Sequence, residues 1–251
     1  MALHPLAEQF DSIADAYERG RPGYSAGVVG LIAAELGLAP GDPVLDLGAG
    51  TGKLTRALLA HGLDVVAVEP QPAMRELLAG RVGAERVRKG MAEAIPLAQG
   101  SVAAVTVADA FHWFQPHAAL AEIGRVLRPE GGLVRLSSAM DWGGASWAHE
   151  VGTTIAELRP EHPSFDGPPW AQTLAQAGGW TTPREFGVAF PHPSSPEQVL
   201  DHILSMSWMA GLPQEARTGT MQRIAAIISA GHTPAQMPVR VTLEMTTRAS
   251  D

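Results

Sequence analysis

Short apolar runs alternate with helical segments between residues 44 and 138, and this alternation constrains the fold more than any other feature of the chain. The run "VVAV" at 65–68 contains apolar residues only, as a parallel strand does when both of its faces are covered. The intervals between such runs carry apolar residues at helical spacing. A regular succession of strands and helices predicts a doubly wound, Rossmann-like α/β sheet.

The flanking segments extend this pattern over most of the 251 residues. The predicted strands cover 44–47, 65–68, 85–90, 101–109, 132–138, 186–190 and 239–245. The predicted helices cover 10–17, 26–38, 54–60, 73–79, 118–127, 170–177, 196–209 and 215–229. The proline-rich segment 159–170 is predicted to be a loop.

Composition excludes several classes of function. The chain has no cysteine, so disulfides, zinc–thiolate sites and cysteine nucleophiles are excluded. Its formal net charge of −8 argues against a nucleic-acid partner. It has no apolar run of about 18 residues and no signal-like N-terminus, so we expect a cytoplasmic protein without a membrane partner. Its histidines lack the spacing of a metal site, so no metal is expected.

The segment "VLDLGAGTGKL" at 44–54 is a glycine loop that directly follows a predicted strand. Its glycines are spaced G-x-G-x-G, whereas a dinucleotide loop would need glycine at position 53, where the chain has Lys53. Asp46, at the base of the loop, suits a ligand that carries a positive group. Glu69, which ends the second strand, lies where an acid reaches ribose hydroxyls. A ribose-bearing cation such as S-adenosylmethionine satisfies all of these features.

Five segments in this order resemble the motifs of the class I S-adenosylmethionine-dependent methyltransferases, and in particular a subgroup that includes trans-aconitate methyltransferases. They are "YERGRPGY", "VLDLGAGTG", "VAVEPQPAMRELL", "GMAEAIPL" and "ADAFHWFQ". The resemblance covers residues 10 to about 140. It implies a seven-stranded sheet of order 3-2-1-4-5-7-6 with the last strand antiparallel, and helical cap insertions.

The resemblance also implies which residues contact S-adenosyl-L-methionine and, after transfer, the product S-adenosyl-L-homocysteine. Met91 stands where many members carry aspartate, so the adenine is expected to meet backbone groups beside it, with Met91 lying on the ring. The expected cofactor residues are Tyr17, Arg21, Asp46, Gly48, Ala49, Gly50, Gly52, Glu69, Pro70, Met74, Met91, Ala92, Glu93, Asp109, Ala110 and Phe111.

The expected organisation has two parts. Residues 1–140 bind the cofactor, with 1–25 as an N-terminal lid. Residues 141–251 complete the sheet and cover the substrate, with 196–236 as a helical insertion. Five of the six tryptophans follow residue 140, and they either contact an apolar substrate or fill a small core. The expected substrate pocket contains His112, Trp113, Trp142 and Trp208.

Methyl transfer is an in-line displacement, so the protein mostly aligns the reactants and excludes water. His112 is the candidate base for a protonated nucleophile, and the alternative is that it fixes its loop by bonding to the backbone. Phe111 and Trp113 either face the sulfonium or simply pack. Asp109 either receives the amino group of the cofactor or caps a helix.

The leading hypothesis is a methyltransferase that acts on oxygen of a small organic metabolite. One alternative keeps the cofactor but catalyses a rearrangement or cyclisation without methyl transfer. Another is a cofactor-binding protein without catalysis. A nicotinamide-dependent oxidoreductase ranks last because the glycine spacing is wrong. The sequence leaves both the methyl acceptor and the choice between monomer and homodimer open.

Overall fold

The computed structural model describes residues 4–143, 146–158, 162, 167–231 and 236–249. It contains a seven-stranded mixed sheet of order β3-β2-β1-β4-β5-β7-β6, which confirms the predicted order. The strands are β1 Pro43–Leu47, β2 Asp64–Val68, β3 Val87–Arg88, β4 Val102–Ala108, β5 Leu127–Met140, β6 Arg184–Pro193 and β7 Gln236–Thr247.

Helices connect and flank the strands. They are α1 Pro5–Glu8, α2 Ala14–Gly20, α3 Ala26–Leu36, α4 Lys53–Ala60, α5 Pro72–Val82, α6 Pro116–Val126, α7 Ser146–Leu158, α8 Trp170–Ala177, α9 Pro196–Leu204, α10 Ser207–Ala210 and α11 Gln214–Ala230. Single 3-10 turns cover Gln9–Ile13, Ala84–Arg86 and Phe111–Trp113.

β1 lies between β2 and β4, and it is parallel to both. Asp46 on β1 is in register with Ala67 of β2 and Thr106 of β4. The carboxyl ends of these three strands therefore lie side by side. Ligands of open α/β sheets bind at such an edge, where the strand order reverses direction.

The chain forms two compact units, each built from three segments. Unit 1 comprises Met1–Pro22, Ala139–Phe165 and Ala189–Arg240. Unit 2 comprises Gly23–Ser138, Asp166–Val188 and Val241–Asp251. The functional division at residue 140 stays a prediction. Residues 232–235 of the predicted insertion, and 159–161 and 163–166 of the predicted loop, lie outside the described residues.

Several element boundaries differ from the predictions for local reasons. The expected helix at 196–209 is interrupted at Ser205, whose hydroxyl donates to the His202 carbonyl (2.6 Å) and so competes with the helical hydrogen bonds. β5 begins at Leu127, which pairs with Val102. The next pair is Gly132 with Ala104, so residues 128–131 form an irregularity within the strand. The expected helix at 10–17 is a 3-10 turn followed by α2.

The sequence analysis missed α7. Its central Gly152 and the threonines beside it lower helix propensity, which obscured the apolar stripe. Trp147, Val151 and Thr154 are nevertheless buried on one face of α7. The glycine serves packing, because a Cβ there would lie 2.9 Å from the Cβ of Trp142.

Candidate functional site

The backbone N–H groups of the glycine loop after β1 donate hydrogen bonds to acceptors at the end of β2. The N–H groups of Gly48 and Ala49 donate to the Val68 carbonyl, at 2.9 and 3.2 Å. The Gly50 N–H donates to Glu69 Oε2 at 2.8 Å. These three amides are therefore used inside the protein and are not arranged as a phosphate cradle, which binds its anion through successive free N–H groups. This geometry agrees with the glycine spacing, which already disfavoured a dinucleotide.

The loop also requires glycine for steric reasons. Gly48, Gly50 and Gly52 have φ values of 70°, 57° and 85° in the left-handed region. A Cβ on Gly48 would lie 2.8 Å from the Cβ of Ala110, which follows β4. A Cβ on Gly52 would meet the buried side chain of Leu78 on α5. The loop thus fits tightly between its neighbours, and its backbone is what a ligand would approach.

Glu69 is buried directly after β2, with 5% of its surface exposed. Its Oε2 accepts from Gly50 and its Oε1 accepts from the Gln71 N–H at 2.9 Å. Burial raises the pKa of Glu69 to about 7, although these two donors and Arg75 act in the opposite direction. Each carboxylate oxygen can accept a second hydrogen bond. The residue therefore braces the loop and keeps acceptor capacity for a ligand hydroxyl.

Asp46 lies beneath the loop rather than at its surface, with 1% of its area exposed. The Thr55 hydroxyl donates to Asp46 Oδ2 at 2.6 Å, and the Thr106 hydroxyl donates to Oδ1 at 3.3 Å. Burial raises the pKa of Asp46 to about 6, and the hydrogen bonds oppose that shift. The carboxyl group thus joins β1, α4 and β4 under the glycine loop.

The segment after β2 surrounds the same edge. Arg75 donates to the carbonyl oxygens of Glu69 and Pro70, at 3.1 and 2.8 Å, and so fixes the backbone after the strand. Met74 on α5 is buried. These hydrogen bonds fix the backbone at Glu69 and Pro70. Contact of Pro70 and Met74 with a cofactor stays a prediction.

The segment expected at the adenine is a tight turn in which the Ala94 N–H donates to the Met91 carbonyl at 3.1 Å. Met91 is half-buried and Ala92 is buried. Glu93 Oε1 accepts from the Gln115 N–H at the start of α6, at 2.7 Å. That hydrogen bond ties the turn to the segment after β4, which carries the other expected cofactor residues.

Asp109 follows β4 with φ of 50°, a strained value for a residue other than glycine. Its Oδ1 accepts from the Ser138 N–H at 3.0 Å. Its Oδ2 accepts from the Ser138 hydroxyl at 2.6 Å and from the Tyr24 hydroxyl at 3.3 Å. The carboxylate therefore links the end of β4 to the end of β5.

The 3-10 turn after Ala110 carries the aromatic cluster of the expected site. Phe111 is buried in the core of unit 2, where its ring meets the edge of Trp170 with centroids 4.5 Å apart. His112 and Trp113 are half-buried, and their ring centroids lie 4.4 Å apart. Packing thus accounts for Phe111, whereas His112 and Trp113 stay candidates for substrate contact.

The remaining expected residues belong to unit 1. The Arg21 guanidinium lies 5.4 Å from the Tyr17 ring centroid and donates to the Ser205 hydroxyl at 2.8 Å. The Trp142 ring lies 6.0 Å from the His202 ring, and Trp208 is buried on α10. Their parts in cofactor or substrate binding stay predictions.

Comparisons with known proteins establish the family. A family model described as a methyltransferase domain matches residues 45–134. An uncharacterized methyltransferase of Mycobacterium tuberculosis is 36% identical over 224 residues, which is 89% of this chain and 87% of the relative. The chain belongs to the class I S-adenosylmethionine-dependent methyltransferases. An uncharacterized methyltransferase-like protein of Schizosaccharomyces pombe is 33% identical over 219 residues, which is 84% of each chain.

Solved structures share the fold of this methyltransferase. A putative methyltransferase from an antibiotic biosynthesis pathway of Anabaena variabilis aligns with a TM-score of 0.61 and 24% identity. The alignment covers 90% of this chain and 98% of that chain. A putative type II methyltransferase of Anaeromyxobacter dehalogenans also gives a TM-score of 0.61, at 22% identity.

The residues at the carboxyl edge of β1, β2 and β4 fit the cofactor of this methyltransferase family. S-adenosylmethionine offers a ribose diol, and Glu69 is a buried acid with acceptor capacity left. The cofactor has no phosphate, and the amides of Gly48, Ala49 and Gly50 have internal partners. Gly48 and Gly52 leave no space for side chains, because a Cβ at either position would meet Ala110 or Leu78.

Sequence reasoning missed the hydroxyl side chains that position the acids of the methyltransferase. Thr55 and Thr106 hold Asp46, while Ser138 and Tyr24 hold Asp109. Tyr24 lies in the quoted "YERGRPGY" segment, but nothing there indicated Asp109 as its partner. Thr106 lies opposite Asp46 in the register of β1 and β4, and this register is known from the structure and not from the sequence.

Within the part of the chain that the structure describes, no group of three histidine or acidic side chains has the arrangement of a metal site. The helices described there are all too short or too polar to cross a membrane.

Proposed function

We propose that this methyltransferase binds S-adenosylmethionine at the carboxyl edge of β1, β2 and β4 and transfers its methyl group to a small organic acceptor. The observation that carries the proposal is Glu69, a buried carboxyl group that braces the glycine loop from the end of β2. An acid at this point of a doubly wound sheet binds ribose hydroxyls.

Each expected cofactor residue has a role in this proposal. Glu69 accepts from the ribose hydroxyls, and the backbone at Gly48 to Gly52 lies against the cofactor. Asp46 acts indirectly, because its carboxyl group is bonded beneath the loop. Asp109, held by Ser138, offers its backbone and carboxylate to the amino-acid end of the cofactor. The residues assigned to the adenine are Pro70, Met74, Met91, Ala92 and Glu93, while Ala110 and Phe111 shape the segment beyond it.

The bound cofactor supplies a methyl group on a positively charged sulfur, which is an activated leaving group. The protein then has to align the acceptor and exclude water. For a hydroxyl acceptor, we assign the half-buried His112 as the general base, because an imidazole is the side chain suited to proton transfer near neutral pH. A carboxylate acceptor needs no base. O-methylation is therefore the chemistry that the polar groups of this site support best.

Residues of unit 1 complete the proposal. We assign Tyr17 and Arg21 to cofactor binding, and Trp142 and Trp208 to contact with an apolar acceptor. The cation–aromatic pair of Arg21 and Tyr17 supports a preformed lid segment.

The direct test incubates the protein with S-adenosylmethionine and a panel of aliphatic and aromatic alcohols and carboxylic acids. We expect S-adenosylhomocysteine together with a product heavier than its acceptor by one methylene. An isomer of the acceptor would instead indicate a rearrangement. Cofactor binding without S-adenosylhomocysteine from any member of the panel would contradict methyl transfer to this class.

His112→Ala separates the two roles considered for His112. If it is the base, turnover on a hydroxyl acceptor falls about 100-fold or more, while cofactor affinity by calorimetry changes less than about twofold. His117→Ala is the control, because His117 is exposed on α6. Equal losses of turnover and affinity would assign His112 to the loop structure.

A further inference from the structure

A groove of about 380 Å³ lies between α9 and α11, within unit 1. Its walls are apolar, and its polar side chains come from α11 alone. The apolar lining residues are Leu200, Leu204, Met221 and Ala225. The polar lining residues are Arg217, Thr218 and Gln222. The volume lies within the range of about 300–1,000 Å³ that is common for small-molecule sites.

The fold of α9 does not require the two leucines of the groove. Val199, His202 and Ile203 form the buried face of this helix. Leu200 and Leu204, one helical turn apart, lie on another face and are only half-buried. They line the groove instead of contributing to the fully buried core.

The same division holds on α11. Ile224 and Ile228 are buried one turn apart. Met221 and Ala225 are also one turn apart, but they line the groove and stay half-buried. Two helices thus present paired apolar residues to the same open space. Apolar walls with a few polar side chains beside them are the usual lining of a small-molecule site.

Arg217 adds a positive charge to the groove. Three other arginines of unit 1 pair with carboxylates: Arg19 with Asp201, Arg223 with Glu157, and Arg240 with Asp141. Arg21 donates to the Ser205 hydroxyl instead. Arg217 has no carboxylate partner among the residues that the structure describes, and its guanidinium donates to the neutral Gln214 Oε1 at 2.6 Å. A guanidinium with remaining donors is suited to a carboxylate, sulfate or sulfonate.

We propose that the groove binds a small amphiphilic anion, namely an apolar chain or ring that carries one acidic group. The apolar part lies between Leu200, Leu204, Met221 and Ala225, and the acidic group is held by Arg217. The inference goes beyond the proposed methyl transfer, because it holds whether or not the bound molecule is methylated.

The test uses two fluorescent probes of similar shape. Anilinonaphthalene sulfonate carries one negative charge, whereas N-phenylnaphthylamine is neutral. We expect the wild-type protein to bind both and to prefer the anion. Ala225→Phe fills the groove and should weaken both probes at least about tenfold. Arg217→Gln should weaken the anion about fivefold and leave the neutral probe within about twofold.

Two variants serve as matched controls. Ala226→Phe adds the same side chain at the next residue, which is exposed and outside the groove. Arg223→Gln removes a charge that belongs to the Glu157 pair. Both should leave probe binding unchanged. Circular dichroism and the unfolding temperature check that each variant is folded.

Three results would overturn the proposal. The first is that the folded wild type binds neither probe, and the second is that Ala225→Phe binds both as the wild type does. The third is that sedimentation shows a dimer that Ala225→Phe dissociates, because the groove would then hold a second copy of the chain. Calorimetric titration of S-adenosylmethionine into the same variants keeps the outcomes separate. If the wild type does not bind S-adenosylmethionine, the proposed function is contradicted, while the probe results still decide whether the groove binds an amphiphilic anion.

Discussion

The glycine loop of unit 2 and the α2–α9 contact of unit 1 are held together in different ways. The amides of the loop donate to the Val68 carbonyl and to the buried Glu69. Beneath the loop, the buried Asp46 accepts from the Thr55 and Thr106 hydroxyls. In unit 1, α2 approaches α9 so closely that a Cβ on Gly20 would overlap the backbone of Asp201 and His202. Arg19 reinforces this contact through a bidentate pair with Asp201.

This difference has a physical consequence for the two regions. Where a loop depends on buried polar groups, the free energy of unfolding changes when an acid is protonated or when a single hydrogen-bond donor is removed. The stability of a contact between two backbones depends instead on whether added side-chain atoms fit between them. Substitutions in each region, and a change of pH, distinguish these two responses.

Gly20→Ala tests the backbone contact of unit 1. The added methyl group meets main-chain atoms of α9, which have no rotamer in which to move aside. We expect the free energy of unfolding to fall by more than about 3 kcal/mol in urea denaturation. Gly30→Ala is the control on α3, where no heavy atom lies within 4 Å of the new Cβ. It should stabilise by about 0.5–1 kcal/mol through helix propensity. A similar effect of both variants would contradict the close contact.

The pH dependence of stability tests the buried acids of unit 2. Burial raises the pKa of Glu69 from its ordinary value of 4.5 to about 7. The folded state therefore holds a proton that the unfolded state has lost, and the free energy of unfolding falls as pH rises from about 4.5 to 7. The share of Glu69 is at most about 3 kcal/mol over this window.

Glu69→Gln should remove that share, and the clearest difference lies between pH 6 and 7, above the pKa of about 6 of Asp46. Urea denaturation at a series of pH values measures the slope. Glu76→Gln, on the exposed side of α5, should leave the profile as it is. If Glu69→Gln and the wild type have parallel profiles above pH 6, Glu69 does not titrate as assigned.

Thr55→Val tests a single donor beneath the loop. The substitution keeps the shape of the side chain but leaves Asp46 Oδ2 without the Thr55 hydroxyl, in a fully buried environment. We expect a loss of about 2 kcal/mol in the free energy of unfolding. Thr153→Val, at an exposed position of α7, should change it by less than about 0.5 kcal/mol. Equal small effects would mean that the hydrogen bond contributes little.

Some features of the molecule could be predicted from the sequence, and others could not. The strands and the glycine loop were predictable because buried parallel strands and left-handed turns leave apolar runs and glycines in the sequence. The strand order followed from the resemblance to the methyltransferase family. The Thr106–Asp46 and Ser138–Asp109 partners were not, since they depend on strand register and strand ends that the sequence does not specify. The α9–α11 groove was not predictable either, because half-buried Leu200 and Leu204 follow the same helical spacing as core residues.

The proposed function depends most on Glu69, which we propose to bind the ribose of the cofactor. The most direct test titrates S-adenosylhomocysteine, and its analogue without the two ribose hydroxyls, into the wild type and Glu69→Gln by calorimetry. We predict that the variant weakens S-adenosylhomocysteine about 10- to 100-fold and weakens the analogue less than about twofold. Equal weakening of both ligands would mean that Glu69 acts only by bracing the loop, and unchanged affinity for both would contradict its place in the site.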